Sequence, residues 1–200
     1  GPRVDILTFM QAPDQPEARF AYQHEPAPLA VLPVDTYDHW WKVQVNDKTR
    51  NLVRKAAKSG VEIRVVPLDA ALVAGVKAIY DESDMRQGKR FTHFAKPAAQ
   101  IADELATFPE CSTFIGAYAG AELIGFAKLV ANGDVASLMH IIAKIGERPK
   151  APANALIAKA VELCAERGIR HLHYGIWSVG GLGMFKENHA FRKVSVPRYL

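Results

Sequence analysis

Three groups of residues in this sequence have types and spacing that could do chemistry. His140 stands in the alternating apolar stretch Val135–Ala143, and an imidazole that titrates near neutral pH can act as a general base. Asp81 and Glu82 fall at the end of a predicted helix and could take a proton through a water instead. The run Arg148-Pro149-Lys150-Ala151-Pro152-Ala153-Asn154 sets two cations and several small residues just ahead of another helix. Backbone amides and the helix dipole at such a place attract anions, a pyrophosphate above all. Pro149 and Pro152 carry no N–H, so the run lacks two of the amides it could otherwise offer. No His/Glu metal spacing, Walker loop or Gly-x-Ser-x-Gly elbow occurs, which excludes metalloenzyme, nucleotide triphosphatase and serine hydrolase readings.

Those residues need a folded frame, and the composition supplies one. With 200 residues, 49% of them hydrophobic and 23% charged, the chain has the balance of a packed soluble domain. A single domain is expected over 3–200, with 3–38 as an extension of short strands and turns punctuated by prolines at 13, 16, 26, 28 and 33. Gly1-Pro2 reads as the remnant of a cleaved tag, so the natural start is expected elsewhere. No apolar run approaches a membrane span, and Cys111 and Cys164 make neither a disulfide framework nor a metal site; a cytoplasmic protein is expected. The net charge of +4 is concentrated where Lys42, Lys48, Arg50, Arg54, Lys55, Lys58 and Arg64 outnumber Asp47 and Glu62, a basic face suited to phosphates of a nucleotide or of RNA.

The apolar periodicity predicts a helix over 38–59 stopped by Gly60, a strand over 61–66, and a helix capped by Asp69 that carries Leu72, Val76, Ile79 and Tyr80. A mobile basic and aromatic loop follows over 81–97, then a helix over 98–108. Three antiparallel strands are predicted over 113–118, 123–130 and 135–143, joined by turns at Gly120 and at Asn132-Gly133-Asp134. A helix over 154–167, a strand over 169–177, a short helix around 184–188 and a closing strand over 191–199 complete the chain.

This order resembles that of the GNAT acyltransferases, and the run from Arg148 into the following helix resembles their Gln/Arg-x-x-Gly-x-Gly/Ala loop, with Ala151 where glycine is usual. The resemblance implies an α/β (α+β) fold with a mixed, mostly antiparallel central sheet and helices on both faces. It also implies a cleft where the strands 135–143 and 169–177 splay apart. Three further segments resemble the Fem-type peptidyltransferases, which use aminoacyl-tRNA: the basic stretch from Lys48 to Val61, the helix start Pro152-Ala153-Asn154-Ala155-Leu156-Ile157, and Gly183-Met184-Phe185-Lys186-Glu187-Asn188. A stand-alone Fem-like GNAT domain is the combined expectation.

The implied reaction is transfer of an acyl group from acyl-coenzyme A, acetyl-coenzyme A first, to an amine of a small molecule or peptide. The alternatives are aminoacyl transfer from a charged tRNA held by the basic face, and a non-catalytic binding domain. The resemblance assigns His140 as base with Glu82 as its substitute. Phe185 stands where the family's proton-donating tyrosine is usual, which leaves Tyr174 or Tyr199 to protonate the leaving group. Ile141, Ile142 and Ala143 would pair with the carrier's extended arm, and Arg148, Lys150, Ala151, Ala153, Asn154, Phe185 and Lys186 would complete the carrier site. Tyr80, Met85, Arg86, Arg90 and Phe91 would receive the acceptor, with no metal and no membrane involved. The closing strand could also pair two copies as a homodimer.

Overall fold

The computed structural model describes residues 7–200. The expected strand at Val4, Asp5, Ile6 and Leu7 falls almost wholly outside the described residues. The chain forms an eight-stranded sheet in the order β1-β10-β2-β9-β8-β7-β6-β3, made of β1 (Phe9–Met10), β2 (His24–Pro33), β3 (Val61–Val66), β6 (Ser112–Ala119), β7 (Glu122–Asn132), β8 (Val135–Ala143), β9 (His171–Ile176) and β10 (Arg192–Tyr199). Every pairing is antiparallel except β8 with β9.

Helices cover both faces. On one, α5 (Pro152–Glu166) is the most buried helix, and Leu156, Ile157, Val161 and Cys164 pack it against Ile115, Ile124, Ala127 and Leu129 of the sheet. On the other, α3 (Ala70–Tyr80) and α4 (Ala98–Leu105) cover Phe114, Leu123 and Phe126. Burying large apolar side chains on both faces is the main source of stability, at about 25 cal/mol per Å².

The structure corrects several sequence expectations. The helix over 38–59 is broken into α1 (Tyr37–His39), which runs on as a π turn over Trp40–Gln44, and α2 (Asp47–Lys58). Asn46 makes the break, because its side chain accepts a hydrogen bond from the Thr49 amide and restarts the helix. Helix α4 stops at Leu105 rather than 108, where the buried Lys128 ammonium donates to the carbonyls of Leu105 (2.8 Å) and Thr107 (2.6 Å). A cation at a helix C-terminus satisfies both the orphan carbonyls and the dipole. The segment 81–97 is no featureless loop: β4 (Met85–Arg86) and β5 (Lys89–Arg90) form a small hairpin across Gln87 and Gly88, both at positive φ.

The proline-rich extension supplies β2, an interior strand of ten residues. Prolines are tolerated there because Pro28 accepts from the Trp177 amide, so its ring nitrogen, and that of Pro26, faces the β9 side. Pairing on that side is sparse and shifts register between Leu29 and Val31. The closing strand β10 pairs along its whole length with β2, while β1 meets it only at Arg198 and Tyr199, so residues 192–196 have no strand on their other side among the described residues. Tyr199 at its end is committed, donating to Gln11 Oε1 and accepting from the amides of Arg19 (3.0 Å) and Phe20 (3.2 Å).

Candidate active site

The site begins with an irregularity in β8. Leu138 pairs with Leu129 and His140 with Lys128, which leaves Met139 as an extra residue that bends the strand. Only Val135, Ala136 and Ser137 pair with β9, opposite His171, Leu172 and His173. Beyond them the pairing of the two strands ends, and Gly175 in β9 adopts a positive φ of 59°. A cavity of about 830 Å³ fills the wedge, walled by Ile141, Ile142 and Ala143 on one side and Tyr174 on the other. Arg148, Ala151, Ala153 and Asn154 at the start of α5 line it too, with Phe185 of α6 (Gly180–Asn188) and with Arg86 and Phe91 of the hairpin segment.

Backbone direction decides which groups of β8 face the wedge. Lys144 N–H donates to Ile124 C=O (2.8 Å), so by alternation Ile142 also bonds to β7, and Ile141 and Ala143 turn their N–H and C=O toward the gap. The expectation that all three residues would pair with a carrier is therefore corrected: Ile142 contributes only its side chain.

The Tyr174 hydroxyl has no hydrogen-bond partner among the described residues, and burial pushes its pKa up to about 12. A phenol held protonated at neutral pH is a proton donor. The Lys186 ammonium lies 4.6 Å from the centre of its ring, a cation–π contact. Lys186 is 2% exposed and donates to Ile176 C=O (2.7 Å) and Ser178 Oγ (3.3 Å). It supports Tyr174 from behind and does not reach the cavity as a phosphate ligand.

Other expected site residues have different duties. Both oxygens of Glu82 are occupied, accepting from the amides of Ile145 (2.6 Å) and Gly146 (3.0 Å), so it is a tether and not a free base. Arg86 donates to Ala143 C=O (2.9 Å) and Ile79 C=O (2.8 Å) and is committed to backbone. Tyr80 is 2% exposed within the second core, stacked near His93, and cannot touch an acceptor. Met85 and Arg90 are exposed and lie off the cavity wall. Lys150 pairs with Glu147 (2.7 Å) and also lies off the wall.

His140 is on the same face of β8 as Ile142, one pleat or about 7 Å from the wall, between the rings of Phe126 and His93. Burial first, then the nearby His93 and Lys128, lowers its pKa below the ordinary 6.5, with Glu104 opposing. It is therefore neutral at pH 7 and able to accept a proton.

Nothing in the residue spacing points to His189. It is fully buried, donating from Nδ1 to Phe185 C=O (2.7 Å) and accepting at Nε2 from the Asn154 side chain (3.1 Å), so it ties α6 to α5 beneath the cleft. The Asn154 Nδ2 is thus committed to His189, although the residue lines the cavity. Burial lowers the His189 pKa to about 4. The unfolded chain thus binds one more proton than the folded one between pH 6.5 and 4, and stability falls as pH drops through that window. A loss of about 3 kcal/mol by pH 4 is expected from this residue alone. Urea unfolding at pH 7 and pH 4 should show that difference removed in His189→Gln; an unchanged pH dependence would contradict the buried neutral imidazole.

No family model and no curated protein sequence matches the chain. Solved structures do. FemX is similar over 96% of this chain and 66% of its own, with TM-score 0.66 and 11% identity. The C-terminal domain of a putative lysylphosphatidylglycerol synthetase from Agrobacterium fabrum covers 88% of this chain and 61% of its own, at 0.63 and 13%. A GCN5-related N-acetyltransferase from Kribbella flavida covers 88% and 59%, at 0.50 and 13%. The chain has the GNAT fold. It spans about three fifths to two thirds of the length of these solved chains. Within the GNAT fold the wedge lies between the fourth and fifth of the strands that run from β3 through β9, with α5 leading from one wedge strand to the other. No helix among the described residues is long and apolar enough to cross a membrane, and no group of three or more metal-ligating side chains is found among them.

Proposed function

We propose that the wedge between β8 and β9 is an acyl-transfer site that moves an aminoacyl group from the ester end of a charged tRNA to an amine. The observation that carries this reading is that the N–H and C=O of Ile141 and the N–H of Ala143 face an uncommitted Tyr174 hydroxyl across the same gap. An extended arm laid along β8 would be held as an added strand holds. Its carbonyl would then stand beside Tyr174.

The amine nitrogen attacks the ester carbonyl carbon, a C–N bond forms and the C–O bond to the ribose breaks. The proton lost by nitrogen passes through a water to neutral His140, and the ribose oxygen leaves with the proton of Tyr174, which solvent later restores. Exposed Lys89 and Arg90 on the second strand of the hairpin favour an acceptor that carries negative charge.

Two features support an RNA carrier. Helix α2 packs against α5 and is tied to the end of α6 by Thr49 Oγ1 donating to Asn188 C=O (2.7 Å), so it flanks the floor of the cleft. Its Lys48, Lys55 and Lys58 are exposed and have no ion pair among the described residues. Acyl-coenzyme A is the second reading, favoured by Arg148 and the N-terminus of α5 on the cavity wall.

The test supplies labelled charged tRNA or labelled acetyl-coenzyme A with a pool of peptides and amino sugars, and follows label into amide products by mass spectrometry. Label from charged tRNA is expected, while label from neither donor would end the transferase reading. With an active donor, kcat/KM should rise with pH to a plateau, with a midpoint below 6.5, and His140→Gln should remove that limb. An identical profile in the variant would dismiss His140 as the base.

A further inference from the structure

From the hydrogen bonds at the mouth of the wedge we infer that Arg86 and Glu82 are specificity-determining residues that keep long amide-bearing, pyrophosphate-bearing carriers out of it. This inference rests on the acyl-transfer reading of the cleft. It concerns what the cleft refuses.

The free edge of β8 offers four groups, the N–H and C=O of Ile141 and of Ala143. Arg86 Nη1 already donates to the last of them, Ala143 C=O, at 2.9 Å. Its Nη2 holds Ile79 C=O (2.8 Å) and Glu82 Oε2 (3.2 Å), and its side chain is only 10% exposed. The guanidinium is thus fixed between the C-terminus of α3 and the end of β8, and stacks over Phe91 at 4.9 Å. An arm with two successive amides would need the carbonyl that Arg86 holds, whereas a short aminoacyl ester can use Ile141 and the Ala143 N–H alone.

Past the strand, the amides that would meet a pyrophosphate are also spoken for. Ile145 and Gly146 donate to the Glu82 carboxylate, which brings a negative charge into the turn. Arg148, Lys150 and Ala151 donate within the turn, to Ile145, Glu147 and Arg148 respectively. Pro149 and Pro152 have no N–H. Of residues 145–153, the amides of Glu147 and Ala153 are left. A phosphate-binding turn works by several amides converging on one anion, and this one cannot converge them.

The two side chains act together because Arg86 holds Glu82 and the end of β8, and Glu82 holds the turn that follows. Removing the guanidinium frees Ala143 C=O, the acceptor that an amide-bearing arm needs, while the turn amides stay on Glu82. Titration calorimetry with coenzyme A and with pantetheine should therefore find no binding up to millimolar ligand in the unaltered chain, and at least a tenfold gain in affinity in Arg86→Ala. Arg86→Lys keeps the charge without the fork and should show the same gain, which guards against a poorly folded alanine variant; thermal unfolding confirms that each is folded. Micromolar coenzyme A binding by the unaltered chain, or no gain in either folded variant, would overturn the inference. The transfer assay separates the two readings: product from acyl-coenzyme A removes the specificity claim and leaves the transferase standing, and product from neither donor removes the transferase.

Discussion

Tyr174→Phe is expected to lower turnover on the order of 100- to 1000-fold with little change in KM. The hydroxyl is the uncommitted side-chain donor on the β9 wall, and removing one such donor from a site where charge develops on oxygen costs about 2.7 to 4 kcal/mol of transition-state stabilisation. Its raised pKa, to about 12, keeps the donor proton in place across the working range, so the variant should lose rate without losing a pH limb. The ring remains in Tyr174→Phe, with its edge-to-face contact on Phe191 at 5.8 Å, so the fold should hold. Steady-state kinetics with the donor that proves active, beside thermal unfolding, checks both halves. A variant with full turnover would place the leaving-group proton elsewhere, and a variant that only weakened donor binding would make Tyr174 a contact rather than an acid.

Gly183→Ala is expected to cost about 3 kcal/mol and to disable the site at the same time. A Cβ on residue 183 would lie 2.2 Å from the carbonyl oxygen of Ser178, and that obstacle is backbone. Helix α6 would have to move, at an overpacking cost at the upper end of about 1–3 kcal/mol. For a chain of this size that is a fall in Tm of roughly 6–12 °C. Phe185 and Lys186 would move with the helix, and with them the support under Tyr174. Gly181, two residues earlier, is the internal control: nothing lies within 4 Å of its Cβ position, so Gly181→Ala should be neutral in stability or slightly stabilising. Equal melting of the two variants would show that the tight approach of α6 to Ser178 is not what holds this helix.

The sequence made much of this frame legible because local chemistry set it. The meander over β6, β7 and β8 was readable from apolar alternation broken at Gly120 and Gly133, both at positive φ in tight turns. The turn at Arg148 was readable from its cations, prolines and small residues, and Ala151 is in the left-handed region at φ 56, the conformation that glycine adopts most easily. What escaped was set by partners distant in the chain. Glu82 looked like a free acid because the amides that occupy it are 63 and 64 residues away. Arg86 reads as an acceptor ligand in a loop because the carbonyl it holds lies 57 residues on. Ile142 looked equivalent to Ile141 because the alternation of backbone groups is fixed only once Met139 bulges and Lys144 bonds to Ile124. The proline-rich extension read as an appendage, since nothing local shows that Pro26 and Pro28 face a gap. His189 carries no motif at all; only the meeting of α5 and α6 gives it partners.

An amide NMR titration of the protein with a non-hydrolysable 3′-aminoacylamino-adenosine tests the central claim most directly. Donor binding in the wedge predicts that the largest shifts fall on the amides of Ile141 and Ala143, which face the gap, with Tyr174 on the opposite wall shifting too and Ile142 shifting less. Shifts confined to other surfaces, with Ile141 and Ala143 unmoved at saturating ligand, would contradict it.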